Sequence, residues 1–419
     1  MSYTTGKWLI DNNAPKYIVL LSTLNLVLIL FGYQLCATIF SLFITNVTGT
    51  QIVTVPYRIL TLGLAVFLIF VSRFSYKKST IANLLWLYWL IIIARLIIDF
   101  YLQSSFYINP EGKTRVVFYV FCITLPSVIA YYKTWDKVDY NKALQWSVVA
   151  LIIIAVFNLL FNKSMFNDTV IGRISGGLAL NTIAFGQCGT SLALIAVYFI
   201  LFRKDVHKYI FWAILLLGVF IMLRAGSRGP VFTFLIILVL LLSMKTKKMF
   251  FVLLGLIVFS LLIYLFQDAL LDIIENISFT LYKRIINTIE NGDLSGRDVI
   301  YTKVINSWLE NPLIGSQFTY YYKNYPVYSH NIVLDAALQG GILGVMILLS
   351  FFFTVFKAQY YSSIYNKKMT WLVILSLQNY IGSLSSGSFY QNSILSVGVL
   401  AISLLGLNTR TNLLSNQNR

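Results

Sequence analysis

Charge is what this sequence has least of. Lys, Arg, Asp and Glu together make up 11% of 419 residues against 58% hydrophobic, and mean hydropathy is +0.77. A soluble globular chain carries about 25% charged residues, so no sizeable soluble domain is expected. Histidine is also scarce, with two residues, and cysteine with three. No His or Cys cluster and no Asp-x-Asp pair occurs, so neither a metal nor a cofactor is expected. Cys36, Cys122 and Cys188 lie inside apolar stretches, where they read as small buried hydrophobes and not as a disulfide framework. The Gly-x-x-x-x-Gly-Lys-Ser/Thr phosphate loop is absent, which argues against nucleotide-driven transport.

What the chain does have is apolar runs, recurring from end to end, as at 86–98, 148–161 and 235–242. Lipid tolerates a helix of roughly 20 apolar residues because such a helix satisfies its own backbone hydrogen bonds. The pattern predicts an all-α polytopic membrane protein with about twelve spanning helices. They fall at 18–44, 57–73, 81–100, 116–132, 144–161, 183–202, 209–224, 230–244, 249–267, 337–356, 370–386 and 391–407. The polar segment 1–16 lacks a signal-peptide pattern, so the first helix is expected to direct insertion.

The formal charge is +17, yet the bases are parcelled into short connections without interleaved aromatics, which argues against nucleic acid as a partner. Seven connections and termini on one side hold nineteen Lys and Arg, and the short connections on the other side hold six. By the positive-inside rule both termini are cytoplasmic. One connection is long. Residues 268–336 separate helices one to nine (1–267) from helices ten to twelve and the tail (337–419). This segment carries eight acids against five bases and is expected outside the cytoplasm. Stretches 273–289 and 297–309 have helical periodicity, with breaks at Gly292, Gly296 and Pro312.

On the outer side stand Arg173, Arg224, Arg228, Arg297 and one histidine, His330. Outer arginines run against the positive-inside bias. Snorkelling to headgroups explains any single one as well as function does, but it explains Arg228, close to Gly226 and Gly229, poorly. A guanidinium also suits a phosphate or diphosphate through bidentate bonds. Arg95 and Asp99, four apart near the outer end of helix three, are expected to pair. The first outer connection, 45–56, has no acid, which disfavours a catalytic carboxylate there.

Several fragments together resemble the O-antigen polymerase and O-antigen ligase superfamily of bacterial envelope assembly. They are Ser227-Arg228-Gly229, Gly296-Arg297-Asp298, Trp308-Leu-Glu-Asn-Pro312-Leu-Ile-Gly315, Ser329-His330-Asn331 and Gly340-Gly341-Ile-Leu-Gly344. Arg173 to Asn181 is similar to the family's segment before the middle helices. The likeness covers about residues 170–345. It implies a GT-C-like fold in the inner membrane, with a periplasmic site that uses neither nucleotide sugar nor metal. The implied partners are undecaprenyl-diphosphate-linked oligosaccharides as donor and acceptor, a chain-length regulator and the bilayer. By this resemblance Arg173, Arg228 and Arg297 bind the diphosphate and His330 handles a proton. Arg224, Asn181, Asn331 and Asp298 support the site. Asp298 and Glu310 could orient the Arg and His, although a structural ion pair fits each equally well.

Three functions are compatible with this reading: a polymerase of lipid-linked repeats, a ligase acting on lipid A–core, and a non-catalytic transporter of lipid-linked sugars. The polymerase is the preferred expectation. A transporter should show charges at mid-bilayer depth and two similar halves, and it gives no reason for the long outer loop. The topology itself is testable. Single cysteines placed within 268–336, in a chain stripped of its native ones, should react with an impermeant maleimide in intact spheroplasts. Cysteines near 245–248 should react only after lysis, and the reverse pattern would invert the chain.

Overall fold

The structure is a computed structural model that describes residues 14–41, 54–73, 78–102, 116–162, 180–203, 207–246, 267–291, 297–322, 325–327 and 329–408. Eight helices come first: α1 (Lys16–Phe40), α2 (Val55–Val71), α3 (Thr80–Leu102), α4 (Val116–Lys137), α5 (Tyr140–Phe161), α6 (Thr182–Phe202), α7 (Lys208–Arg224) and α8 (Arg228–Thr246). All lie close to the expected spans. The ninth expected span, 249–267, falls outside the described residues but for its last residue, and so do Arg173 and most of 45–56. By length and composition α1, α3, α4, α5, α6 and α12 (Ile332–Tyr365) can cross a membrane, whereas α2, α8 and α14 (Ser393–Leu404) are apolar but shorter. These helices describe a polytopic membrane protein.

The core is built around late helices. Residues 370–378 of α13 (Thr370–Ser383) and all of α14 are buried. Helices α6, α8, α12 and α14 pack on α13, while α3, α4 and α12 pack on α14. At the rim, α2 and α7 expose Ile59, Phe70, Tyr209 and Leu216, as lipid-facing helices do. Close approach of helices depends on small residues, because lipid removes the hydrophobic drive for association. A Cβ on Gly189 of α6 would stand 2.7 Å from the Gly218 carbonyl of α7, and one on Gly218 would stand 2.7 Å from the Ala193 nitrogen.

Between α8 and α12 lie α9 (Gln267–Ile277), α10 (Phe279–Asn291) and α11 (Arg297–Glu310), followed by the antiparallel pair β1 (Tyr320–Tyr322) and β2 (Tyr325–Val327) with Tyr320 opposite Val327. Apart from this short hairpin, where consecutive tyrosines favour a strand, the described elements are helical, as expected. The stretch 273–289, expected to be one helix, breaks at Ser278. There the Ile277 carbonyl, freed from helical bonding, accepts from Arg224 at 2.7 Å.

α12 also differs from expectation. It begins at Ile332, five residues early, and ends at Tyr365, nine residues late. Hydropathy missed both ends because Asp335 near the start and Gln359 and Ser362 near the finish are polar yet buried. The helix is interrupted at Gly341, whose φ of 58° and ψ of −150° belong to a region open essentially to glycine alone. A Cβ there would overlap the Leu313 carbonyl. The segment 312–318 nests in this break. The amides of Ser316 and Gln317 donate to the Leu338 carbonyl at 3.0 and 3.2 Å, and the Ile342 amide donates to the Pro312 carbonyl at 2.9 Å.

The two neighbouring glycines should therefore respond differently. Gly341→Ala is expected to cost about 3 kcal/mol or more, from backbone strain plus the overlap. Gly340→Ala would place its Cβ 2.9 Å from the Cγ2 methyl of Ile91 and meet no backbone, so it should cost less, about 1–2 kcal/mol. Thermal melts in detergent would compare them, and equal losses would contradict the break as described.

Candidate functional site

The loop helices meet two groups of basic residues at one end of the bundle. The first group forms at the α7–α8 turn, where Gly226 (φ 63°) turns the chain back. Arg224, in the last turn of α7, is 8% exposed and donates to the Ile277 carbonyl. Arg228 opens α8 and donates through Nη1 to the Arg284 carbonyl of α10 at 3.1 Å, while Arg284 donates to the Gly226 carbonyl at 3.4 Å. Three arginines thus clasp α9 and α10 to the turn. A carbonyl orients a guanidinium without cancelling its charge. Pro230 sits in the first turn of α8, as expected from its missing N–H.

The second group forms where α11 meets α12. Arg297 opens α11 half-buried, and His330 stands half-buried two residues before α12. Burial, and after it the charge of Arg297, holds the His330 imidazole below its usual pKa of 6.5. The ring is therefore neutral at pH 7 and can accept a proton. His330 has φ 60°, the only positive value at a non-glycine among the described residues, a strain of about 1–3 kcal/mol that persists only where the surroundings over-determine it.

The flanking residues supply that constraint. Asn331 caps α12, its Oδ1 accepting from the Val333 and Leu334 amides at 2.9 and 3.3 Å. The Ser329 hydroxyl donates to the Asn331 carbonyl at 2.7 Å. Asn181 has a similar place at the head of α6, capping through the Ala184 amide at 2.8 Å. Asp298 is exposed in the first turn of α11, where a carboxylate complements the helix dipole. Glu310 is exposed at the other end of that helix. The expected Arg95–Asp99 pair forms at 3.7 Å. Arg95 also donates to the carbonyls of Ile314 (2.8 Å), Gly315 (2.6 Å), Ser316 (3.3 Å) and Gln339 (3.4 Å), and Asp99 accepts from the Phe318 amide.

Two participants escaped the sequence reading. Arg284 carried the same signal as the other arginines expected on the outer side but stood inside an amphipathic helix. The connection 384–392 between α13 and α14 carried little signal, yet it reaches the first group and the segment that follows α11. A Cβ on Gly229, beside Arg228, would come within 2.9 Å of Ser385 Oγ. At its other end the Tyr390 ring packs on Phe318, 4.8 Å between centroids, and the Tyr390 carbonyl accepts from Thr124 at 2.8 Å.

Residues 213–349 match the family model described as O-antigen ligase. The match takes in both basic groups but neither Arg173 nor Asn181, and it bears out the resemblance read from the motifs. No curated protein matches the chain.

The coupling of Arg297 to His330 can be measured. With His207, the other histidine, replaced by Gln and the remaining histidine labelled, Arg297→Gln should raise the His330 pKa, since it removes a neighbouring positive charge. An NMR titration that leaves the pKa unchanged or lowers it would separate the two residues.

Proposed function

We propose that this chain is an O-antigen polymerase. It would join undecaprenyl-diphosphate-linked oligosaccharide repeats at the periplasmic face of the inner membrane, without a metal ion. The observation that carries this reading is a histidine held neutral beside an arginine, inside the segment that matches the O-antigen ligase model. Neutral His330 accepts the proton of the attacking sugar hydroxyl as that oxygen bonds to the anomeric carbon of the donor. The anomeric C–O bond breaks, and its electron pair leaves with the lipid diphosphate. Arg297, with Arg228 and Arg173, stabilises the growing charge of that leaving group. No carboxylate nucleophile enters this scheme, so the displacement is direct and inverts the anomeric centre. Asn331 and Asn181 support the site as helix caps, and Arg224 as part of the clasp under Arg228.

The ligase family matched over 213–349 favours a second reading, in which the same donor site passes the glycan to lipid A–core. The two differ only in acceptor. Purified protein would be incubated with lipid-linked repeat units, with and without EDTA, and the products resolved on a ladder gel. Longer lipid-linked chains support the polymerase, and extension of added lipid A–core alone supports the ligase. Translocation without bond formation would leave a transporter. Arg297→Ala and His330→Ala should each reduce product by about 10²-fold or more, the usual worth of such groups, with normal membrane insertion. Full activity in both would remove the assigned chemistry.

A further inference from the structure

We propose that Asp335 is a positioning residue for His330, acting through the backbone of Ser329. The inference rests on the proton-accepting role given to His330 above. Asp335 lies one turn inside α12 and is 3% exposed. Its Oδ1 accepts the Ser329 amide at 2.9 Å, and its Oδ2 is buried with no hydrogen-bond partner. Ser329 is itself fully buried. Its hydroxyl donates to the Asn331 carbonyl and accepts from the Asn331 amide at 3.2 Å, while the Asp335 amide donates to that same carbonyl at 3.0 Å.

The residues on both sides of His330 are thus tied to one carboxylate-bearing turn, and the chain passes through the left-handed region between them. Capping alone does not require this carboxylate, because Asn331 already satisfies the first amides of α12. A buried carboxylate is costly, and an apolar residue would start the helix more cheaply. What the carboxylate adds is direction. It draws the Ser329 N–H inward, so the chain must turn at residue 330 and hold the imidazole against Arg297. The titratable and charged groups around this turn are Arg297 on α11, Asp335 on α12 and Tyr88 on α3, which interacts electrostatically with Asp335. On α3, the Arg95–Asp99 pair holds the neighbouring Phe318 and Gln339.

The test uses Asp335→Asn, which keeps an oxygen for the Ser329 amide, and Asp335→Ala and Asp335→Leu, which do not. Leu preserves packing volume should Ala fail to fold. Two readouts are followed: the pH profile of glycosyl transfer, and the NMR titration of His330 in the His207→Gln background. Without the acceptor, kcat should fall on the order of 10²-fold, as a misplaced catalytic group does. The acid limb of the profile and the His330 pKa should both move up, because the imidazole loses its burial and its place beside Arg297. Asp335→Asn should retain most activity and the original limb. Reduced amplitude with an unmoved limb would mean a purely structural role and overturn the proposal, as would equal damage from Asn and Leu. If the wild-type protein performs no transfer, the functional reading fails. The His330 titration still judges the positioning then: an upward shift in Asp335→Leu supports it and no shift overturns it.

Discussion

The end of the bundle that carries Arg297 and His330 depends on the guanidinium of Arg95. A guanidinium is flat and carries five donors, and here it reaches main-chain carbonyls of 314–316 and of Gln339 while its own helix supplies Asp99 as counter-charge. One side chain on α3 therefore joins the segment that follows α11 to the segment that breaks α12. Asp99 completes the joint by taking the Phe318 amide. Where water is scarce, such bonds are strong and any unmade one is expensive. The position of Arg297 at the head of α11 relative to His330 at the head of α12 follows from this joint.

The same joint gives a physical meaning to much of the sequence likeness. Trp308 donates through its indole nitrogen to the Pro312 carbonyl at 3.1 Å. Gly315, with φ 77°, lies so close to the Leu338 carbonyl that a Cβ would overlap it. Gly341 makes the reciprocal approach to Leu313. These motif positions are scaffold, two glycine-dependent bends seated in one another. The groups suited to chemistry are few, and the scaffold presents them: His330 and Arg297 on one side, and Arg228 with its partner Arg284 on the other. A family pattern that spans both kinds of residue mixes a frame with the groups proposed for chemistry.

Much of this was legible beforehand, and the reason is the solvent. Lipid forces a single solution on a long apolar run, so α3, α5 and α6 fall close to where hydropathy puts them. The Arg95–Asp99 pair was readable from spacing alone, since residues four apart share a helix face. Where the chain leaves lipid or buries polar groups, the reading weakened. Ser278 looks unremarkable in an amphipathic stretch, and the break there exists because Arg224 takes the carbonyl it frees. The far end of α12 reads as a polar inner connection, yet Gln359 and Ser362 are buried among neighbouring helices. The connection 384–392 is rich in serine and gave no motif, yet Ser385 lies beside Gly229 and Tyr390 packs on Phe318.

Hydropathy and the uneven spread of Lys and Arg suffice to make this a many-helix membrane chain with a long polar segment on one side, because each helix answers to lipid on its own terms. They also single out the residue types that an anionic, sugar-bearing lipid would need. Which arginine stands beside the histidine, and how that histidine is held, depends on bonds between residues more than two hundred positions apart, such as Arg95 to Gly315. Pairings of that kind are chosen by geometry among folded elements. No local pattern encodes them, since a carbonyl awaiting a donor looks the same at every position in the chain.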